Sequence, residues 1–371
     1  MKNKGNVLLI LIFCIMIAAP GVIGLLLPDR VFSESENRNL AEAPKVTAEG
    51  FFSGDFMKKF ESYVTDQFVL RDSWVAVKAG SELALGRKAN NGVELAKGRL
   101  IKYVAEPEKA DFDKKLSAVD KFAKGCDVPV SFALIPSAAC IYKETLTKGA
   151  PTADEEEWIN YAYDSLGVEK IDLVSTLKEH KDEYIYYRND HHYTSLGAGY
   201  VAAGIFGTLE PGFDFDLNSY EPETVSDSFY GTGRNSFGAK KAEADSIIRY
   251  TGGAGVEVFV NEKGELVPGK MYHEEALLHS NQYPYFLGGN TPLCVLKSKA
   301  EGGKVLLVRD SFADELAPFL AEYYSEVHLW DLRYNKDDLN NYIKEKDIEK
   351  VLIIYSFPDF VTDSKIGLLG R

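Results

Sequence analysis

Three short apolar runs near the C-terminus, at 305–308, 327–330 and 351–355, constrain this chain most. Each is four or five residues long and apolar but for His328, the pattern of a strand buried on both faces. Between them lie two segments with helical spacing, at 314–324 (Leu316, Ala317, Leu320, Ala321, Tyr324) and at about 336–346. Strands joined through helices pair in parallel by crossover, so the tail predicts an α/β layer structure. Upstream the pattern repeats: 100–104 reads as a strand, 112–123 as a helix, and 128–136 as a strongly apolar strand ending at Ser137. The expected fold class is α/β, a parallel sheet flanked by helices.

Between about 212 and 289 the texture changes to short strands and glycines, with Val256, Val258 and Val260 alternating. This predicts a small β-rich insertion. Tyr230-Gly231-Thr232-Gly233 lacks the lysine-serine pair of a phosphate loop and reads as a turn.

The N-terminus divides into residues 1–29, a membrane anchor or signal segment, and 30–50, a polar stalk, ahead of the α/β domain at 51–371. Lys2 and Lys4 precede an apolar stretch from Val7 to Leu27, about the length that crosses a bilayer, which implies an inside N-terminus and an exported body. Ala18-Ala19 before Pro20-Gly21 leaves cleavage as a signal peptide open. Phe13 ahead of Cys14 argues against lipidation. Phe56, Phe60, Tyr63 and Val64 form one helical stripe and Trp74, Val77 and Leu83 another, both expected to face a core.

A net charge of -14 without basic clusters excludes a nucleic-acid partner, whose phosphates need lysine and arginine to replace their counterions. Cys126, Cys140 and Cys294 are an odd set for an exported chain and no disulfide framework, although a Cys126–Cys140 bridge across the strand remains open.

Chemistry concentrates in two places. In Asp190-His191-His192-Tyr193-Thr194 an extended backbone would send Asp190 and His192 to one side and His191 to the other, and Thr194 or Ser195 would cap the following helix. In Arg309-Asp310-Ser311-Phe312 the serine follows a buried strand and precedes a helix, at the carboxyl end of the sheet where catalytic groups gather. Serine needs an imidazole to take its proton, and the imidazole needs a carboxylate to fix its tautomer. Ser311, His192 and Asp190 supply one candidate each. The competing role for Asp310 or Ser311 is a helix cap, and for His191 a packed histidine instead of a support. A metal site would draw on Asp190, His191 or His192, His273 and His279, but no His-Glu-x-x-His occurs, and no metal or other cofactor is expected.

These residues resemble the DHHW protein family of bacteria. Asp190-His191-His192-Tyr193 matches its namesake run, and Glu36-Asn37-Arg38-Asn39-Leu40, Asp66-Gln67-Phe68 with Arg71, Phe286-Leu287-Gly288-Gly289-Asn290 and Asp310-Ser311-Phe312 match elsewhere. The resemblance implies kinship with the catalytic domains of alginate O-acetyltransferases and an SGNH-hydrolase-like fold. It implies Ser311 as nucleophile, His192 as base and Asp190 as its orienting acid. Two departures stand out: Arg309 replaces a glycine, where it either crowds the loop or binds an anionic substrate, and Tyr193 replaces tryptophan, leaving a ring to stack on a sugar. Donors for an oxyanion would be the Ser311 N–H, Asn290 and Arg333, the last also suited to an ion pair with Asp331 or Asp337.

The implied activity is acetyl transfer or acetyl-ester hydrolysis on a cell-envelope or exported polysaccharide, outside the cytoplasm. A membrane-bound acyltransferase would supply the acyl groups. The alternative is a glycan-binding or scaffold protein without turnover, its tyrosines and Trp330 stacking on sugars. Meeting of serine, histidine and aspartate in space would favour the enzyme; a buried serine or separated motifs would favour the binder.

Overall fold

A computed structural model describes residues 2–33, 38–237 and 242–369. Glu36 and Asn37 of the stalk motif and residues 238–241 of the insertion lie outside the described residues. The chain divides into two compact units, Met1–Asn90 with Asn235–Lys240, and Asn91–Arg234 with Lys241–Arg371.

The second unit is built on an eight-stranded sheet of β1 (Val130–Ile135), β2 (Glu169–Lys170), β3 (Glu257–Glu262), β4 (Glu265–Pro268), β5 (Leu293–Lys297), β6 (Gly302–Arg309), β7 (Tyr324–Trp330) and β8 (Lys350–Ser356). Their order across the sheet is β4-β3-β5-β7-β6-β8-β1-β2. The five strands from β7 to β2 are parallel, as the alternation requires. The other three join antiparallel, so the sheet is mixed and not purely parallel. β3 and β4 form a hairpin across Lys263-Gly264, both at positive φ, and they extend the main sheet although they lie within the β-rich segment. The rest of that segment pairs Glu221–Phe229 with Asp245–Thr251 in a separate two-stranded sheet.

The apolar runs are continuous because both faces of the sheet are covered. Val305, Leu307, Leu352, Ile354, Ala133 and Ile135 pack into one core, beneath helices α1 (Ser195–Leu209) and α2 (Ala313–Leu320). Leu306, Val308, Val351, Ile353, Phe132 and Leu134 pack into the other, against helices that include Lys109–Gly125 and Leu339–Glu345. Each such side chain contributes about 1.5–3 kcal/mol on leaving water. Helix α2 is shorter than its spacing suggests and ends at Leu320; Tyr324 is already the first residue of β7. Trp330 is buried against Tyr342, which removes it as a sugar platform. All four cysteines are free, so Cys126 and Cys140 do not bridge.

The first unit corrects two expectations. Residues 2 to 26 form one helix, but among the described residues no helix is long and apolar enough to cross a membrane. The structure therefore does not support the transmembrane anchor expected at 1–29; Pro20 lies within this helix. The two aromatic stripes do form on helices, Asp55–Asp66 and Arg71–Ala84, yet they are not core. Phe60, Val64, Trp74 and Val77 are all more than 40% exposed, since these helices bury little besides Asp66 and Ala79. The Asp66-Gln67 motif ties down the stalk: Asp66 Oδ2 accepts from the Ala41 N–H at 2.8 Å, and Gln67 bonds both the N–H and the carbonyl of Arg30.

Candidate active site

Strand β6 ends at Arg309, and the turn to α2 presents Ser311 at the carboxyl edge of the parallel strands, as expected. The helix-cap role is not taken up, since α2 begins after Phe312 with no side-chain cap; Asp310 instead braces the loop, its Oδ1 accepting from the Phe312 N–H at 3.0 Å and its Oδ2 from the Ser356 N–H at 2.7 Å on the neighbouring strand. Burial raises its pKa to about 7. Arg309 neither crowds the serine nor faces solvent. It is fully buried, with its Nη1 paired at 3.0 Å to Asp314 Oδ1, a carboxyl that burial, opposed by Arg309, sets at about 6.

The Asp190 segment is a tight reversal in which Tyr186 bridges Tyr193 and the Thr194 N–H returns to the Ile185 carbonyl. Thr194 caps α1, its hydroxyl accepting from the Gly197 N–H. The loop presents Asp190 and His192 to one site. His192 Nδ1 lies 2.6 Å from Asp190 Oδ1, and His192 Nε2 lies 2.8 Å from Ser311 Oγ, 119 residues away in sequence. The three candidates thus form one hydrogen-bonded line. Asp190 and His192 are buried; His191 is 41% exposed but does not point away as an extended backbone would require, its Nδ1 lying 3.4 Å from Asp190 Oδ1 and 3.2 Å from the Thr232 hydroxyl.

The charge is arranged to suit. Burial alone would raise Asp190, but the imidazoles of His191 and His192 and hydrogen bonds from His192 and Thr232 hold it well below the usual carboxylate range. An ionised Asp190 accepting from Nδ1 leaves Nε2 of His192 as the acceptor facing Ser311 Oγ.

Several site residues were not found from the sequence. Thr232 donates to Asp190 Oδ2 through its N–H at 2.8 Å and its hydroxyl at 2.9 Å. Where a simple turn was expected, Gly231, Thr232 and Gly233 form the first turn of a helix, Gly231–Phe237, and Gly231 permits its approach: a Cβ there, at φ 38°, would stand 2.5 Å from Asp190 Cβ and 2.7 Å from its Oδ2. Asp245 Oδ1 and Oδ2 accept the backbone N–H groups of Arg188 and Asn189, each at 2.7 Å, fixing the residues that lead into Asp190. Tyr283 stacks on His192. A glycine pair around a threonine hints at close backbone approach; nothing in the sequence connects Asp245 or Tyr283 to residue 190.

Other candidates lie apart from this line. Arg333 makes the expected ion pair with Asp331, at 2.7 Å, and its Nη2 donates to Asn290 Oδ1 at 3.2 Å. Tyr193 is fully buried, its hydroxyl donating to the Phe312 carbonyl at 2.5 Å, so it holds the loop and offers no face to a sugar. Among the described residues, one group of three metal-ligating side chains has donor atoms within 4.8 Å of one another: Asp190, His191 and His192. His273 and His279 are not in it. Its central atoms, Asp190 Oδ1 and His192 Nδ1, already bond each other.

Fold and site together define an α/β protein with a serine, imidazole and carboxylate aligned at the carboxyl edge of its sheet. The chain belongs to the DHHW family: the family model described as DHHW protein matches residues 116–330, which contain all three. Among solved structures it is similar to a DHHW family protein from Eubacterium siraeum, with 22% identity and a TM-score of 0.66, over 76% of this chain and 95% of that one. It is also similar to Bacillus cereus PatB1 with a sulfonyl adduct, with 21% identity and a TM-score of 0.64, over 75% of this chain and 98% of that one. A weaker likeness, with a TM-score of 0.48 and 15% identity, is to the O-acetyltransferase domain of Pseudomonas putida AlgJ, over 75% of this chain and 98% of that one. No curated protein matches. At these identities the likeness is one of fold.

Proposed function

We propose that this protein is an acyl-ester enzyme of the exported cell envelope, an O-acetyltransferase or acetylesterase acting on polysaccharide hydroxyls through Ser311, His192 and Asp190. The observation that carries it is the line Asp190 Oδ1, His192 Nδ1, His192 Nε2, Ser311 Oγ, with links of 2.6 and 2.8 Å. His192 Nε2 takes the Ser311 proton as Oγ bonds to the ester carbon, and the carbonyl electron pair moves to oxygen. Collapse expels the alcohol, which leaves with the proton from Nε2, and an acyl-serine remains. An acceptor hydroxyl or water then gives its proton to Nε2 and attacks; the Ser311 oxygen departs and is reprotonated. Asp190 keeps the imidazole in the required tautomer and faces the imidazolium.

Transfer and hydrolysis differ only in the acceptor. The Ser311 N–H is the natural oxyanion donor, each such donor contributing about 3 kcal/mol. Export is supported by the basic residues ahead of the apolar N-terminal segment, and a membrane-bound acyltransferase is the proposed source of acyl groups. A non-catalytic glycan binder would have no need of the aligned line.

The test is p-nitrophenyl acetate cleavage by the full chain. Ser311→Ala and His192→Ala should each lower the rate about 10³-fold or more at unchanged melting temperature. Equal rates in wild type and both variants would remove the serine centre.

A further inference from the structure

Tyr283 makes two contacts that converge on the aligned line. Its ring lies parallel to the His192 imidazole, with centroids 3.6 Å apart and planes at 7°. Its hydroxyl donates to the Ser311 carbonyl at 2.8 Å. The ring is buried and belongs to a small core with Tyr187, Phe229, Ile247 and Phe286, distinct from the two cores of the sheet. It starts the short 3-10 turn Tyr283–Tyr285, where Pro284 fixes the backbone.

We propose that Tyr283 is a positioning residue that holds His192 Nε2 and Ser311 Oγ in register, its ring fixing the imidazole plane and its hydroxyl fixing the nucleophile's backbone. The inference rests on the acyl-ester function proposed above. The base sits on an irregular reversal and the nucleophile on a strand-to-helix turn, and one hydrogen bond between two rotatable side chains cannot hold both. A small rotation of the imidazole about its Cβ–Cγ bond would break the bond to Asp190 and the bond to Ser311 together. The stacked ring opposes that rotation on one face. The neighbouring rings are tilted instead of parallel: Phe312 at 4.7 Å and 49°, His191 at 3.9 Å and 38°. Once Nε2 has taken the serine proton, the same π face lies against a cation, an attractive arrangement. Tyr283 does not itself accept the proton, since burial pushes its hydroxyl well above the ordinary tyrosine value.

Sulfonylation by phenylmethylsulfonyl fluoride reads the serine without any acceptor. Ser311 Oγ bonds to sulfur, the S–F bond breaks, fluoride leaves, and His192 takes the proton. Adduct formation by the full chain, followed by intact mass, should be about 10- to 100-fold slower in Tyr283→Leu. Tyr283→Phe, which keeps the ring, should stay within about fivefold of wild type. Recovery by phenylalanine of most of what leucine loses, at equal melting temperatures, is the expected signature of a positioning ring. Tyr283→Met, closer in volume, replaces the leucine variant should that one fail to fold. Labelling of the leucine or methionine variant at the wild-type rate overturns the inference, as do leucine and phenylalanine variants that are equally slow. A folded wild type that forms no adduct overturns the acyl-ester function itself and this inference with it.

Discussion

The two halves of the site are built by different means. Ser311 sits where regular elements put it, after a buried strand and before a helix, and the groups beneath it are Asp310, bonded to the Phe312 and Ser356 N–H groups, and the buried Arg309–Asp314 pair. Asp190 and His192 sit on a reversal with no regular ladder, held by Thr232, Asp245 and Tyr283 from the glycine-rich segment. The sheet therefore supplies most of the nucleophile's position, with the Tyr283 hydroxyl added at the Ser311 carbonyl, while the segment after α1 positions the base. Changes to the groups beneath the nucleophile, Ser311 itself excepted, should appear mainly in stability, and changes to the groups around the base mainly in rate.

Asp190→Asn should have the largest effect, a rate loss of about 10⁴-fold with the fold kept, because Oδ1 is what sets the imidazole tautomer. Ester turnover beside a thermal melt checks it. Gly231→Ala should come next, about 10- to 100-fold in rate, since the new methyl meets Asp190 at 2.5 Å from a backbone that already disfavours a side chain. A rate within twofold of wild type would show that the Asp190 carboxylate is not fixed by this turn. Arg309→Met is the opposite case. It breaks a buried pair and should cost about 3–5 kcal/mol in urea unfolding, yet leave the sulfonylation rate of Ser311 within about threefold. A rate loss as large as that of Gly231→Ala would erase the distinction between the two halves.

What was legible in the sequence follows this division. The parallel strands could be read because burial on both faces leaves few polar residues in them, His328 and Ser131 among the exceptions, and Ser311 could be read because it falls at the end of one such run. Asp190 and His192 could be read from residue type and their spacing of two. Thr232, Asp245 and Tyr283 could not, because they reach the site through contacts 42 to 91 residues from the loop, and local spacing carries no record of such contacts. Arg309 was misread for a related reason: its buried partner Asp314 lies in the first turn of the helix, and a charged residue at a strand end looks exposed until that partner is placed. The stripe at Phe60 and Val64 shows the converse error. Helical spacing was right, but periodicity cannot say whether anything covers the apolar face.

Thr232→Val should lower the rate only about three- to tenfold. It removes the hydroxyl bond to Asp190 Oδ2 and keeps the N–H bond from the same residue, so only part of the roughly 1.5–3 kcal/mol of a bond to a charged group reaches the rate. A loss near that of Asp190→Asn would mean that the hydroxyl, and not the turn, fixes the carboxylate.

The smallest expected effect concerns Glu315 on α2, which is buried and accepts from Tyr187 at 2.6 Å and from Ser195 at 2.7 Å. Burial raises its pKa to about 8, opposed by those two bonds, so the native state keeps its proton at neutral pH while the unfolded chain gives it up near pH 4.5. The native state then binds more protons than the unfolded state across that interval, and stability falls as pH rises from about 4.5 to about 8, levelling above. Glu315→Gln keeps a neutral side chain at every pH and removes this slope. The melting temperature of the variant minus that of wild type should therefore become more positive from pH 5 to pH 8. Because Ser195 starts α1, which the base loop leads into, and Glu315 lies on α2 just after Ser311, the bond joins the two halves behind the site without touching the reacting atoms. The sulfonylation rate should stay within about threefold of wild type throughout. A difference in melting temperature that does not change with pH would mean that Glu315 is ionised in the native state. A rate that falls with the variant would instead place this bond among those that align the base with the serine.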